Sequence, residues 1–86
     1  MSGYNVMAIL INQRSKKAVK MQEVLTKHGC LIKMRLGLHE ADNVCAEDGL
    51  LLLQLTGDNS EIEILTNDLN AIDGIKAKTM NISWDE

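Results

Sequence analysis

The sequence contains no proline and no phenylalanine, and its only aromatic side chains are Tyr4 and Trp84. Proteins that bind single-stranded nucleic acid stack bases on aromatic side chains, and surfaces that follow the phosphate backbone need clustered cations. This chain has few aromatic residues and a net charge of −3 at pH 7. We therefore do not expect direct binding to nucleic acid.

Cysteine and long apolar runs are also scarce. The two cysteines, Cys30 and Cys45, are too few for a disulfide framework and fit a reduced, cytoplasmic compartment. No apolar run approaches the roughly 20 residues of a membrane-spanning helix, and the N-terminus lacks the pattern of a signal peptide. We expect a cytoplasmic protein with no membrane partner.

What the sequence does have is periodic hydrophobicity over nearly its whole length. Eighty-six residues predict one domain, residues 1–86. Clean alternation or continuous apolar runs predict four strands, and apolar residues at helical spacing predict two helices. Ser60 and Glu63 match a capping box at the start of the second helix. The strands are expected at residues 4–12, 32–38, 49–56 and 75–82, and the helices at residues 16–28 and 60–72.

The resulting order, β-α-β-β-α-β, predicts an α+β fold of the ferredoxin-like type. Right-handed crossovers leave few arrangements for this order, and the commonest is an antiparallel sheet with strand order 4-1-3-2. Both helices then lie on one face of the sheet. A domain this small buries only about 60% of its unfolded surface, so association is a plausible supplement to its core.

The opposite, helix-free face is predicted to be apolar and flanked by cations. Leu50 and Leu52 lie on one side of the third predicted strand, and Leu51 and Leu53 lie on the other. Such a surface suggests an interface, so we expect self-association through this face as a dimer or tetramer. The residues assigned to this interface or to a ligand are Lys33, Arg35, Gly37, Leu50 and Leu52, with Lys76 and Lys78 on the same face.

Arg35 has two interpretations. It could bind an anionic effector with its two-pronged guanidinium group, or it could pair with an acidic residue of a partner subunit such as Glu40 or Asp42. Gly37 beside it would permit a close backbone approach or a bulge. Met7, Met21, Met34 and Met80 are predicted to fill the core.

Four side chains could ligate a soft or borderline metal: His28, Cys30, His39 and Cys45. Their spacing matches no compact metal signature. His39 and Cys45 share the loop at residues 39–48 and could converge across a dimer, which makes them the candidate metal pair. The alternative is that they only pack and form hydrogen bonds in that loop. No cofactor is otherwise expected.

Enzymatic activity is not expected from the residues. No nucleophile has an identifiable base partner, and no phosphate-binding glycine loop occurs. Acylphosphatases share this fold but need a glycine-rich loop with an arginine after the first strand, and here Asn12–Gln13–Arg14–Ser15 lacks the glycines. The Cys-x-x-Cys of copper chaperones is absent from the same loop.

The middle of the chain resembles the family of iron-only hydrogenase system regulators. The resemblance runs from about Tyr4 to Ile82 and rests on residues 32–41, Cys45, residues 48–50 and residues 74–78, with Arg35-x-Gly37 as its most specific part. It implies an ACT-like fold, similar also to the C-terminal domain of the nickel-responsive repressor. Those relatives dimerise or tetramerise and bind small effectors or metal between subunits. This sequence has no pair of closely spaced histidines like the repressor's, and we expect no separate DNA-binding segment.

Three hypotheses follow. The first is a non-enzymatic, oligomeric regulatory or sensor module that responds to a small ligand of unknown identity. The second is a structural scaffold for protein interactions without a ligand. The third is a metal-binding protein that uses His39 and Cys45.

Overall fold

A computed structural model describes residues 3–12, 18–38 and 48–84 of the chain and contains the predicted elements in the predicted order. A short 3₁₀ turn at Gly29–Leu31 follows the first helix. The elements are β1 (Tyr4–Asn12), α1 (Ala18–Lys27), β2 (Ile32–Leu38), β3 (Asp48–Leu55), α2 (Asn59–Asn70) and β4 (Ile75–Ile82).

The four strands form one antiparallel sheet in the order β2-β3-β1-β4. This is the predicted order 4-1-3-2, counted from the other edge. β1 and β3 occupy the centre, where a strand is paired on both sides, and their sequences are accordingly the most continuously apolar. The α+β, ferredoxin-like prediction is confirmed.

The core lies between the two helices and one face of the sheet. The apolar stripe of α1 supplies Met21 and Leu25, and that of α2 supplies Ile62, Leu65 and Leu69. The sheet contributes every second residue of its strands, because successive side chains point to opposite faces. The sheet residues in this buried cluster are Met7, Ile9, Leu51, Leu53, Leu55, Ile75 and Ala77. Neither described helix is long and apolar enough to cross a membrane.

The start of α2 differs from the prediction by two residues. Asp58 is the N-cap: its Oδ1 accepts a hydrogen bond from the backbone N–H of Glu61 at 2.9 Å, and the Glu61 side chain accepts one from the backbone N–H of Asp58 at 3.2 Å. The predicted box of Ser60 and Glu63 is therefore wrong. Ser60 instead donates its hydroxyl to Asp58 Oδ1 at 2.8 Å. An aspartate at this position makes the same pattern two residues earlier.

β2 contains an irregularity that changes which side chains face the core. Ile32 pairs with Leu55 and Met34 pairs with Gln54, so Lys33 is an extra residue without its own partner in β3. A bulge of this kind breaks the alternation of the strand. Ile32 consequently packs against the core, whereas Met34 and Leu36 point to the opposite side.

Candidate functional site

The helix-free side of the sheet is the most unusual surface of the described chain. We call it the free face. It contains seven of the ten large apolar side chains that are exposed in the described residues. These seven are Tyr4, Leu10, Met34, Leu36, Leu50, Met80 and Ile82. Isolated exposed apolar residues are normal, but a contiguous group is typical of an interaction surface.

Cross-strand pairing brings these side chains together. Ala8 of β1 pairs with Leu52 of β3, and Leu52 pairs in turn with Leu36 of β2. Two residues further along β1, on the same face, Leu10 pairs with Leu50. The apolar surface therefore runs across the three strands β1, β3 and β2 instead of following one of them.

A shallow groove of about 250 Å³ lies in this surface. Met34 and Leu36, which are 57% and 51% exposed, line it from β2, and Tyr4 and Val6 line it from β1. Gln54 supplies a side-chain amide among its lining residues, and Tyr4 carries a phenolic hydroxyl. The groove can hold an apolar group, and it offers one amide for a directional hydrogen bond.

Two lysines lie beside the apolar surface, on β4. Lys78 pairs with Ala8 and Lys76 pairs with Leu10, so both side chains lie on the free face. This agrees with the sequence prediction for these residues. The free face is thus apolar over β1, β2 and β3 and cationic along part of one edge.

The prediction that Arg35 lies on the same face is wrong. Arg35 pairs with Leu53, a core residue, and therefore points to the helix side of the sheet. There its Nη1 donates a hydrogen bond of 3.1 Å to Oε1 of Gln22 on α1. The cause is the bulge at Lys33, which reverses the alternation between Ile32 and Met34. Lys33 itself is exposed at the bulge and does not continue the alternation of either face.

The other residues assigned to the interface are divided between the two faces. Leu50 and Leu52 lie on the free face, the first exposed and the second half-buried. Gly37 pairs with Leu51 and so lies on the helix side. A Cβ atom at Gly37 would be 3.7 Å from Leu51 Cδ1, which is an ordinary contact. Packing within the subunit therefore does not require glycine at this position.

Exposure of the methionines also differs from the prediction. Met7 and Met21 are buried in the core, as expected. Met34 and Met80 are more than half exposed on the free face, so the core assignment is wrong for them. Helical or strand spacing alone does not distinguish a buried apolar face from an apolar face that is left open.

The candidate metal pair, His39 and Cys45, lies outside the described residues. Within residues 3–12, 18–38 and 48–84, no group of three or more His, Cys, Asp or Glu side chains could hold a metal ion. The metal hypothesis therefore stays a prediction that concerns the loop at residues 39–48.

The other two candidate ligands lie near each other at the C-terminal end of α1. His28 donates a hydrogen bond from Nε2 to Oδ2 of Asp68 on α2 at 2.9 Å, and Lys27 Nζ is 3.8 Å from the same oxygen. Cys30 is an exposed free thiol that lines the same surface depression as His28. His28 thus connects the two helices, a role that sequence spacing could not predict because its partner is 40 residues away.

The comparisons with known proteins agree with this fold. Residues 4–79 match the family described as "TM1266-like: Iron-only hydrogenase system regulator, putative". The uncharacterized protein TM1266 from Thermotoga maritima superposes with a TM-score of 0.80 and is 24% identical. That alignment covers 93% of this chain and 96% of the other. No curated protein matches the chain.

Two further structures have the same fold at lower identity. An ACT domain protein from Streptococcus pneumoniae has a TM-score of 0.59 and 9% identity, with coverage of 94% of this chain and 91% of that chain. A PII-like signaling protein from Thermus thermophilus has a TM-score of 0.60 and 12% identity, with coverage of 93% and 87%. The architecture is therefore ACT-like and PII-like.

Proposed function

The chain belongs to the TM1266-like family of iron-only hydrogenase system regulators, and we propose that it is a non-enzymatic regulatory module. In this proposal, copies of the chain associate through the free face and respond to a small ligand bound there. The similarity to an ACT domain protein and a PII-like signaling protein supports a regulatory role.

The observation that carries the proposal is the contiguous apolar surface of the free face. An antiparallel sheet that is covered by helices on one side normally presents polar side chains on the other. Here Leu10, Met34 and Leu36 are exposed at the centre and one edge of that side. Leaving them in water is unfavourable by about 25 cal/mol for each Å² of apolar surface. A second copy seated on this face would remove them from water.

The ligand class is suggested by the groove and the lysines. A groove of about 250 Å³ in one subunit is small for a drug-sized molecule, so we propose a small metabolite that is enclosed between two copies. Lys76 and Lys78 are not among the residues that line this groove, but they lie on the same face of the sheet. In the proposal their ammonium groups favour a ligand that carries phosphate or carboxylate, which they bind as point charges. A differential affinity worth about 1–3 kcal/mol between two assembly states would be enough for regulation.

Sedimentation of two matched variants tests the association. Leu36→Glu introduces a charge on the free face, and Ile64→Glu introduces the same charge at a similarly exposed aliphatic residue on α2. We expect the wild-type chain to be oligomeric at tens of micromolar, Leu36→Glu to have a smaller mass, and Ile64→Glu to match the wild type. A monomeric wild type, or an unchanged mass for Leu36→Glu, would contradict association through this face.

A thermal-shift screen tests the ligand. Amino acids, nucleotides and divalent metals are added to untagged protein, because a ligand that binds only the folded state raises the unfolding temperature. We expect stabilisation by an anionic metabolite, and we expect Lys76→Ala together with Lys78→Ala to reduce it. Stabilisation by no compound, with an intact oligomer, would favour a scaffold without a ligand. Stabilisation by a divalent metal alone would favour the metal hypothesis.

A further inference from the structure

The outer edge of β4, which is not paired with another strand of the described sheet, is a second surface suited to binding a partner. β4 is an edge strand, so every second residue directs its backbone N–H and C=O away from β1. Hydrogen bonds identify these residues as the odd-numbered ones. Gly74 accepts from Asn12 of β1 at 2.8 Å, whereas Ile75 donates to Ile72, outside the sheet, at 3.1 Å.

In the first half of β4, the outward backbone groups of Ala77 already have hydrogen-bond partners. Asn70, at the end of α2, bonds both outward groups of Ala77: Ala77 N donates to Asn70 Oδ1 at 2.7 Å, and Asn70 Nδ2 donates to Ala77 O at 3.0 Å. The amide side chain therefore takes the place of a neighbouring strand. Lys76 and Lys78 flank the same position, and lysine is a common means of preventing edge-to-edge pairing.

Among the described residues, no side chain is seen to bond the outward backbone groups in the other half of β4 in this way. Residues 79–82, with the sequence Thr-Met-Asn-Ile, carry no charge. By the same alternation, Thr79 and Asn81 direct two donors and two acceptors outward. Met80 and Ile82 on this segment are exposed and lie on the free face. On the other edge of the sheet, by contrast, β2 is interrupted by the bulge at Lys33 and carries Arg35.

We propose that this open half of β4 pairs with the same segment of a second copy of the chain. Antiparallel pairing about a twofold axis at Met80 sets Thr79 of each copy opposite Asn81 of the other. All four outward groups of each copy are then used, because each opposed pair exchanges two hydrogen bonds. We call this contact the β4 seam. A register shifted by two residues toward the start of β4 would oppose Asn81 to Ala77 and require Asn70 to move, so the Asn70 bonds exclude that register. In the proposed register the pairing ends at Ile82, the last residue of β4, before it reaches Ala77 of the other copy.

Two exposed features support a second copy as the occupant. The β4 seam joins two sheets into one of eight strands, and Met80 and Ile82 extend the apolar free face across it. Trp84, just beyond β4, is 98% exposed. Trp84 lies two residues beyond the end of β4 and therefore at the end of the β4 seam, so a second copy paired there changes the surroundings of its indole. The β4 seam is formed by the outward backbone groups of Thr79 and Asn81, whereas association through the free face buries apolar side chains.

A charge-swapped pair of variants tests the β4 seam. Thr79→Lys with Asn81→Lys sets lysine opposite lysine in the proposed register, which is unfavourable, whereas Thr79→Lys with Asn81→Glu sets lysine opposite glutamate. Both pairs alter the same two exposed positions and both lose the 3.1 Å bond between the Asn81 and Asn5 side chains. A difference between them therefore reports pairing and not folding.

The variants are compared in the Leu36→Glu background, where the free face is blocked. We expect Leu36→Glu alone to sediment as a dimer, the added lysine–lysine pair to give a monomer, and the added lysine–glutamate pair to restore the dimer. The backbone amides at positions 79 and 81 should be protected from hydrogen exchange in the dimers and lose that protection in the monomer. Emission from Trp84, the only tryptophan, should shift to longer wavelength in the monomer.

The outcomes distinguish failure of the β4 seam from failure of the free-face interface. A wild-type oligomer that becomes monomeric with Leu36→Glu alone would show that the free face is the only interface. A Leu36→Glu dimer that keeps its mass with the lysine–lysine pair would show that the second contact lies elsewhere. An oligomer that depends on the residue pair at 79 and 81 but not on Leu36 would support the β4 seam and contradict the free-face interface.

Discussion

At the scale of single residues, Gly57 shows how local geometry constrains the chain between β3 and α2. Its φ of +106° lies in a region that L-residues rarely adopt, and a Cβ atom would be 2.6 Å from Leu31 Cδ2. Leu31 belongs to the buried core and cannot move freely. We therefore expect Gly57→Ala to lower the free energy of unfolding by about 1–3 kcal/mol.

Gly37→Ala is the matched control for this prediction. Gly37 has neither a positive φ nor a close contact, so alanine there should change the free energy of unfolding by less than about 0.5 kcal/mol. Urea unfolding of both variants measures the difference. Equal destabilisation by the two substitutions would contradict the assignment of strain to Gly57 and would indicate a general cost of adding a methyl group.

Arg35 shows why the candidate site was only partly predictable at this scale. Alternation along residues 32–38 predicted that Arg35 lies on the free face, whereas the bulge at Lys33 places it on the helix side of the sheet. Nothing in the sequence distinguishes Lys33 as the extra residue, because a bulge depends on how β2 is joined to β3 and to the 3₁₀ turn before it. Lys76 and Lys78 were placed correctly, since β4 pairs with β1 without interruption.

At the scale of elements, the fold was predictable because the sequence of each strand and helix has a recognisable hydrophobic pattern of its own. β1 and β3 are continuous apolar runs, and the two helices have apolar stripes bounded by turn residues. The six-element order then leaves few topologies. Boundaries were less predictable, since Asp58 and Ser60 are both good N-cap residues and only the hydrogen bonds identify Asp58 as the cap.

The Asp58 cap predicts a pH dependence for α2. Hydrogen bonds from the Glu61 backbone N–H and then the Ser60 hydroxyl lower the pKa of Asp58 below its ordinary value of 3.8. A carboxylate whose pKa is lower in the folded state stabilises the fold fully above 3.8, and this contribution disappears as the pH falls through the folded pKa. Asparagine also caps a helix well, but its amide side chain does not ionise.

We therefore expect the unfolding temperature of the wild type to exceed that of Asp58→Asn near neutral pH. The difference should shrink as the pH is lowered below about 4, where the carboxylate becomes protonated. Thermal unfolding followed by circular dichroism at several pH values measures it. Ser60→Ala serves as the control, since it removes one donor and should weaken the pH dependence in part. A difference that is constant over the whole pH range would contradict the role given to the Asp58 charge.

At the scale of the whole molecule, the apolar residues of this short chain are divided between the buried core and the free face. A chain of 86 residues forms a marginal core, yet seven large apolar side chains of the described residues remain outside it on the free face. Their use in association would add stability that the isolated subunit does not have. The sequence predicted that both sides of the central strands are apolar, but it could not show what covers the second side.

Coupling between folding and association gives the last prediction. If copies associate through the free face, unfolding also dissociates them, and the unfolding temperature must rise with protein concentration. We expect such a rise for the wild type and for Ile64→Glu over about a hundredfold range of concentration. Leu36→Glu, which adds a charge to the free face, should show a smaller rise. Differential scanning fluorimetry at several concentrations measures all three. Identical slopes for Leu36→Glu and the wild type would mean that the free face stays exposed to water in the native protein, and its apolar residues would then need a different explanation.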